Sequence, residues 1–301
     1  MKFGRIIALP LLLASIPFAR AQQNPTRDIG PLVIIGGAEE TDGGDILRRF
    51  VKLSGGEGAH IVVITAAFEE PRNIGEKYRK SFEAMGVREV KELQTTKREE
   101  TDSEANLGLI KHATGVFFTG GDQLRLVEIF RNTKVEKLMH QRRSDGLAIG
   151  GTSAGASMMS EFMAATDKGP VMALAKQDAF HRGLGFLSGT LIDPHFAQRA
   201  RIGRLLSAVA ERPKCLGIGI DADTALVVTG NEKAEVLGSG TVMIVDASTA
   251  THNNKVGREP GDPIALFGLT VHVLPRGTTF DLKSRRPGDA NTAKNAEPRA
   301  D

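Results

Sequence analysis

Gly151, Thr152, Ser153, Ala154 and Gly155 fit the pattern G-x-S-x-G, and the chemistry open to such a serine is nucleophilic attack on an acyl carbon. A serine hydroxyl at its ordinary pKa is a weak nucleophile. It needs a base, usually a histidine, which is itself oriented by an acid. The chain offers seven histidines. His60 precedes a buried strand pattern, His112 and His140 lie in helical surface patterns, His181 sits in a loop, and His252 and His272 lie in a β-rich end. His195 is placed differently. It follows the short apolar run GTLID and opens HFAQRARIGRLLSAV, which puts it at the carboxyl end of a strand, the sheet edge where ligands bind in open α/β sheets.

The elements that must deliver these groups are legible as a pattern. LVIIGG (32–37), IVVIT (61–65), GVFFTGG (115–121) and GLAIGG (146–151) are continuous apolar runs, as strands buried on both faces read. Amphipathic stretches separate them, which predicts right-handed crossovers and a parallel sheet covered on both sides. The apolar run before Ser153 and the segment ASMMSEFM after it predict strand, sharp turn and helix, with the serine at the turn. From about residue 215 the texture changes to closely spaced strands, expected to be antiparallel and to complete the same domain. No lysine follows Gly155, which disfavours a phosphate loop.

Composition sets the outer bounds. The 301 residues carry 41% hydrophobic and 25% charged side chains, a globular balance. Residues 1–21 combine a basic start, an apolar run too short to span a membrane, and small residues before Gln22; they read as a signal peptide, so the protein is expected to be exported to the periplasm or secreted. Their removal takes away Lys2, Arg5 and Arg20, leaving 36 basic against 36 acidic residues. No net basic field remains for nucleic acid. The single cysteine, Cys215, excludes an intrachain disulfide and a cysteine-based zinc site. The histidines are scattered and H-E-x-x-H is missing, so neither metal nor cofactor is called for. Residues 284–301 are polar and rich in Pro, Gly and Asn, and are expected to form a disordered tail.

Five blocks in order, FFTGGDQLRL, IGGTSAGASMM, GLGFL, DPHFAQRARIGRLL and GIGIDADTALVV, resemble the cyanophycinase family of serine peptidases, over residues 30 to 282. The resemblance implies an α/β, flavodoxin-like three-layer sandwich with a mostly parallel central sheet and a β-rich C-terminal part. It implies Ser153 as nucleophile, His195 as base, and Gly120, Gly121 and Ala154 as the oxyanion hole. The substrate implied is a polypeptide of cyanophycin type, a poly-aspartate with arginine on each β-carboxyl, from which such enzymes release β-Asp-Arg dipeptides. Gln123, Asp193, Arg199, Arg201 and Arg204 then fall on substrate-contacting positions, arginine being suited to bidentate grip of carboxylates. On a regular helix Arg199 and Arg204 do not share a stripe, so at least one of the three is expected to be structural, with Arg199 and Arg201 nearest the base.

Pro194 departs from the resemblance, standing where the family commonly has glutamine. It leaves room for another β-aspartyl or arginine-rich peptide. The triad acid is expected between the serine and GLGFL; Glu161, Asp167 and Asp178 are candidates, and Asp167 is preferred. Other acyl hydrolases, a non-catalytic binding protein on the same fold, and a homodimer all remain compatible with these residues.

Overall fold

The computed structural model describes residues 29–288 except 43, 69–72, 165–172, 175–179, 231 and 256. The leader read at 1–21 lies outside the described residues. The first half alternates strand and helix: β1 (Leu32–Ile35), α1 (Asp45–Leu53), β2 (His60–Ile64), α2 (Ile74–Ala84), β3 (Glu89–Leu93), α3 (Arg98–Thr101), α4 (Glu104–His112), β4 (Gly115–Phe118), α5 (Gln123–Phe130), α6 (Lys134–Ser144), β5 (Ala148–Thr152) and α7 (Ala154–Ser157). The four apolar runs are β1, β2, β4 and β5. Sequence pattern missed β3, whose charged residues alternate with Val90 and Leu93 because it lies at the sheet edge.

The second half continues with β6 (Ser160–Ala164), β7 (Phe180–Arg182), β8 (Leu187–Pro194), α8 (Ile202–Glu211) and β9 (Leu216–Ile220). The β-rich end is β10 (Thr224–Val228), β11 (Lys233–Gly238), β12 (Thr241–Asp246), β13 (His252–Asn253), β14 (Leu266–Phe267), β15 (Thr270–Pro275), β16 (Thr279–Asp281) and β17 (Arg286–Pro287).

A nine-stranded sheet runs in the order β17-β16-β11-β10-β1-β5-β4-β2-β3. Strands β1 to β5 are mutually parallel, and the C-terminal strands extend the sheet antiparallel beyond β1. This is the flavodoxin-like α/β fold. A second sheet, β15-β12-β9-β8-β6-β7, carries a parallel centre of β9, β8 and β6. The pleat divides the core: Val33, Ile35, Ile61, Val63 and Phe117 face α1 and α2. Leu32, Ile34, Val62, Ile64 and Phe118 face α4 to α6 and the second sheet. Burial of this kind at about 25 cal/mol per Å2 of apolar surface is the main stabilising contribution.

Three expectations are corrected. The helix after the serine, expected over ASMMSEFM, ends at Ser157, and β6 begins at Ser160. Met158, Met159 and Met163 are buried with no polar face, and such a run fits a strand beside β8 as well as a helix. The segment opening at His195 forms turns, and α8 starts only at Ile202. Residues 285–287, expected within the tail, are tied into the fold: Arg286 and Pro287 pair with β16, and Arg285 bonds Asp246 at 2.7 Å and the Lys214 carbonyl at 2.6 Å. Residues 289–301 lie outside the described residues. Among the described residues no helix is long and apolar enough to cross a membrane.

Candidate active site

Strand β5 lies between β1 and β4, so its carboxyl end opens where the parallel strands on either side end too. The β1–β5 ladder reaches one residue past β5: the Ser153 N–H donates to the Ile35 carbonyl at 3.0 Å. The chain then turns sharply, with Ser153 at φ 53° and ψ −113°, a conformation that costs energy and persists only where its surroundings over-determine it. Glycines permit the turn. A Cβ on Gly151 would fall 2.5 Å from the Gly155 carbonyl oxygen, and one on Gly155 would fall 2.4 Å from that of Phe118. The half-buried hydroxyl stands above the strand ends beside Gly120, whose Cβ would lie 3.4 Å from that of the serine.

His195 follows β8 directly, and its Nε2 lies 3.0 Å from Ser153 Oγ. The ring is aimed by its backbone. The His195 N–H donates to the Gly36 carbonyl at 2.8 Å, and the next residue's N–H donates to the Ile220 carbonyl at 3.1 Å. The Phe196 ring packs on bare Gly219, closing the turn against β9. His195 itself is at φ 48°. The pair is therefore joined from two sheets, the serine from the nine-stranded one and the histidine from the smaller one. Such a pair can transfer the hydroxyl proton to the imidazole as the oxygen attacks. Of the residues expected to form the oxyanion hole, Gly120 lies beside Ser153, and Ala154 follows the serine as the first residue of α7.

The other expected residues are not all brought to this point. Asp167 and Asp178 lie outside the described residues. Glu161 on β6 accepts the Gly189 N–H at 2.9 Å and lies 3.7 Å from Arg182. Gln123 is buried, and its amide donates to the Ala164 carbonyl at 3.0 Å. Asp193, expected at a substrate-contacting position, is held by the protein's own arginines. Its carboxylate accepts from Arg201 Nη1 at 3.2 Å and from Arg204 Nε at 2.9 Å, and Arg204 Nη2 makes a further contact. All three side chains are buried. Arg201 also donates to the Pro194 carbonyl at 2.5 Å. Of Arg199 and Arg201, expected nearest the base, Arg201 is thus held in a buried ion cluster. Because α8 begins after Arg201, helical spacing does not govern these residues, and Arg201 joins Arg204 beneath the surface. Arg199 alone of the three is exposed.

Removing one member of a buried ion cluster costs more than the pair itself contributes, about 3–5 kcal/mol, because the remaining charges keep their desolvation cost. Asp193→Ala is expected to lower unfolding stability by that order in urea titrations. A loss under 1 kcal/mol would show that the arginines find other acceptors.

Sequence reasoning missed the segment after β1. Gly37, at φ 101°, faces the imidazole so closely that a Cβ there would fall 2.2 Å from His195 Cε1 and 2.3 Å from Nε2. Glu39 is buried and accepts hydroxyl hydrogen bonds from Tyr78 and Thr152. The paired glycines closing the run LVIIGG were the available signal. Partners of Glu39 that stand 39 and 113 residues away left none.

The chain is similar to known proteins over most of its length. The profile of Peptidase family S51 matches residues 32–236. The chain is 39% identical over 259 residues to a cyanophycinase of Trichormus variabilis, covering 84% of this chain and 86% of that protein. It is 39% identical over 263 residues to a cyanophycinase of Geminocystis herdmanii, covering 85% and 95%. Among solved structures, a peptidase from an acI-B1 actinobacterium superposes with a TM-score of 0.62 at 24% identity, over 85% of this chain and 98% of that one, a likeness of fold.

Proposed function

The chain belongs to Peptidase family S51 and is a serine-type peptidase, and from that membership we propose that it cleaves cyanophycin through Ser153 and His195. The observation that carries the reading is the 3.0 Å approach of His195 Nε2 to a serine held at a strained turn. In this mechanism Ser153 Oγ attacks the carbonyl carbon of a main-chain peptide bond of the polymer as its proton passes to Nε2. The tetrahedral oxyanion takes hydrogen bonds from the Ala154 N–H and the Gly120–Gly121 turn. The imidazolium returns the proton to the leaving amine. Water, deprotonated by the same nitrogen, then releases the acyl-enzyme and restores the serine.

A polymer bearing free carboxylates and guanidinium groups needs charged partners, and exposed Arg199, four residues past the base, supports a carboxylate contact. We further propose export, supported by the order of basic, apolar and small residues in 1–21. A mature N-terminus at Gln22 is its check.

The direct test is incubation with purified cyanophycin and analysis of the soluble products. β-Asp-Arg dipeptides are expected, and none should form with an S153A variant. Arg199→Gln should lower kcat/KM for the polymer by about tenfold to a hundredfold, as loss of one charge-assisted contact does, while hydrolysis of a small neutral ester is little changed. Turnover of the ester with no dipeptide from the polymer would make the protein a different acyl hydrolase.

A further inference from the structure

Glu39 is a carboxyl group buried to 8% exposure in the turn after β1, and the reaction sequence above gives it no part. Both of its oxygens are occupied. Oε1 accepts from the Tyr78 hydroxyl at 2.5 Å, and Oε2 accepts from Thr152 Oγ1 at 2.6 Å. Tyr78 and Thr152 are themselves buried, so neither hydroxyl can turn to water instead. Thr152 is the last residue of β5 and precedes the serine directly.

Ser153 occupies a region of φ and ψ that L-residues avoid, and only fixed neighbours keep it there. On its own amide the fixing group is the Ile35 carbonyl of β1. On the residue before, it is Glu39, four positions further along the same segment. Between them, Gly36 takes the His195 N–H and Gly37 bears on the imidazole. One short segment therefore touches the strand end under the nucleophile at two points and the base at two more. We infer that Glu39 is a positioning residue, whose grip on Thr152 sets where Ser153 Oγ stands relative to His195. This inference rests on the proposed reading of Ser153 as nucleophile. Glu39 acts on the serine's side of the pair, since both its oxygens are committed to hydroxyls.

The test measures labelling of Ser153 by a fluorophosphonate, per folded molecule, as a limiting rate and a half-saturating concentration. Thr152→Val keeps shape and removes the hydroxyl; Thr152→Ser restores it; Glu39→Gln keeps shape and alters the acceptor. The limiting rate is expected to fall about tenfold to a hundredfold in Thr152→Val and Glu39→Gln at unchanged half-saturation, because misplacing a reacting atom by a fraction of an ångström removes much of the rate while leaving reagent binding. Thr152→Ser should stay within threefold of the wild type.

A wild type that is not labelled at Ser153 would overturn the nucleophile reading itself. Labelled wild type with Thr152→Val within threefold of it, or Thr152→Ser as slow as Thr152→Val, would overturn only the role of Glu39. Should neither Thr152→Val nor Glu39→Gln yield folded protein, the contact holds the fold rather than the serine, and the inference falls.

Discussion

Ser153→Ala is expected to abolish turnover, with kcat lower by four or more powers of ten, and to leave the unfolding transition within about 1 kcal/mol of the wild type. The change removes one oxygen atom. That oxygen meets His195 Nε2, and no packed side chain is lost. The turn is held by backbone contacts that alanine keeps: its N–H to Ile35, and its carbonyl accepting from Ala156 at 3.0 Å and Ser157 at 2.9 Å. Retention of more than a tenth of wild-type activity would show that another group attacks the substrate.

The second large effect is expected at a residue that does not react but lies against the base. In Gly37→Ala, the new methyl meets the imidazole at less than van der Waals distance, so either the ring or the segment must move by an ångström or more. Displacement on that scale costs about a hundredfold in rate, since the proton must pass along a 3.0 Å line from Oγ to Nε2. Alanine at φ 101° adds strain of its own, of the order of 1–2 kcal/mol, which unfolding measurements would register separately. A kcat within threefold of wild type would mean that the ring has a second position from which it serves equally well.

How far the sequence carried depended on the range of the interactions. The turn at Ser153 was legible because its cause is local: small residues on both sides and an apolar run before. His195 was legible because a strand and a sheet edge place it. The fate of Asp193 was not, since it depends on Arg201 and Arg204 folding back under β8, and a helical wheel drawn from His195 describes a helix that starts later. β6 was read as helix because a run buried at all but one position has almost no period to measure. β3 was passed over for the opposite reason, as its edge position gives it a surface-like alternation. Glu39 was invisible because all its chemistry lies in two hydroxyls distant in sequence.

Tyr78 is the chain's sole tyrosine, and there is no tryptophan. All tyrosine and tryptophan emission therefore comes from one phenol, bonded to the carboxyl group that also holds the residue before Ser153. Burial, reinforced by the nearby Glu39 carboxylate, pushes the phenol well above its usual range, so the folded protein keeps it neutral through alkaline pH. The unfolded chain ionises near pH 10. The stability this phenol contributes is thus complete below about pH 10 and declines above it, by about 1.4 kcal/mol for each further pH unit. Phenolate absorbance near 295 nm in an alkaline titration would then record unfolding rather than simple ionisation, and at neutral pH the emission of the native protein is an optical gauge of the segment behind the serine.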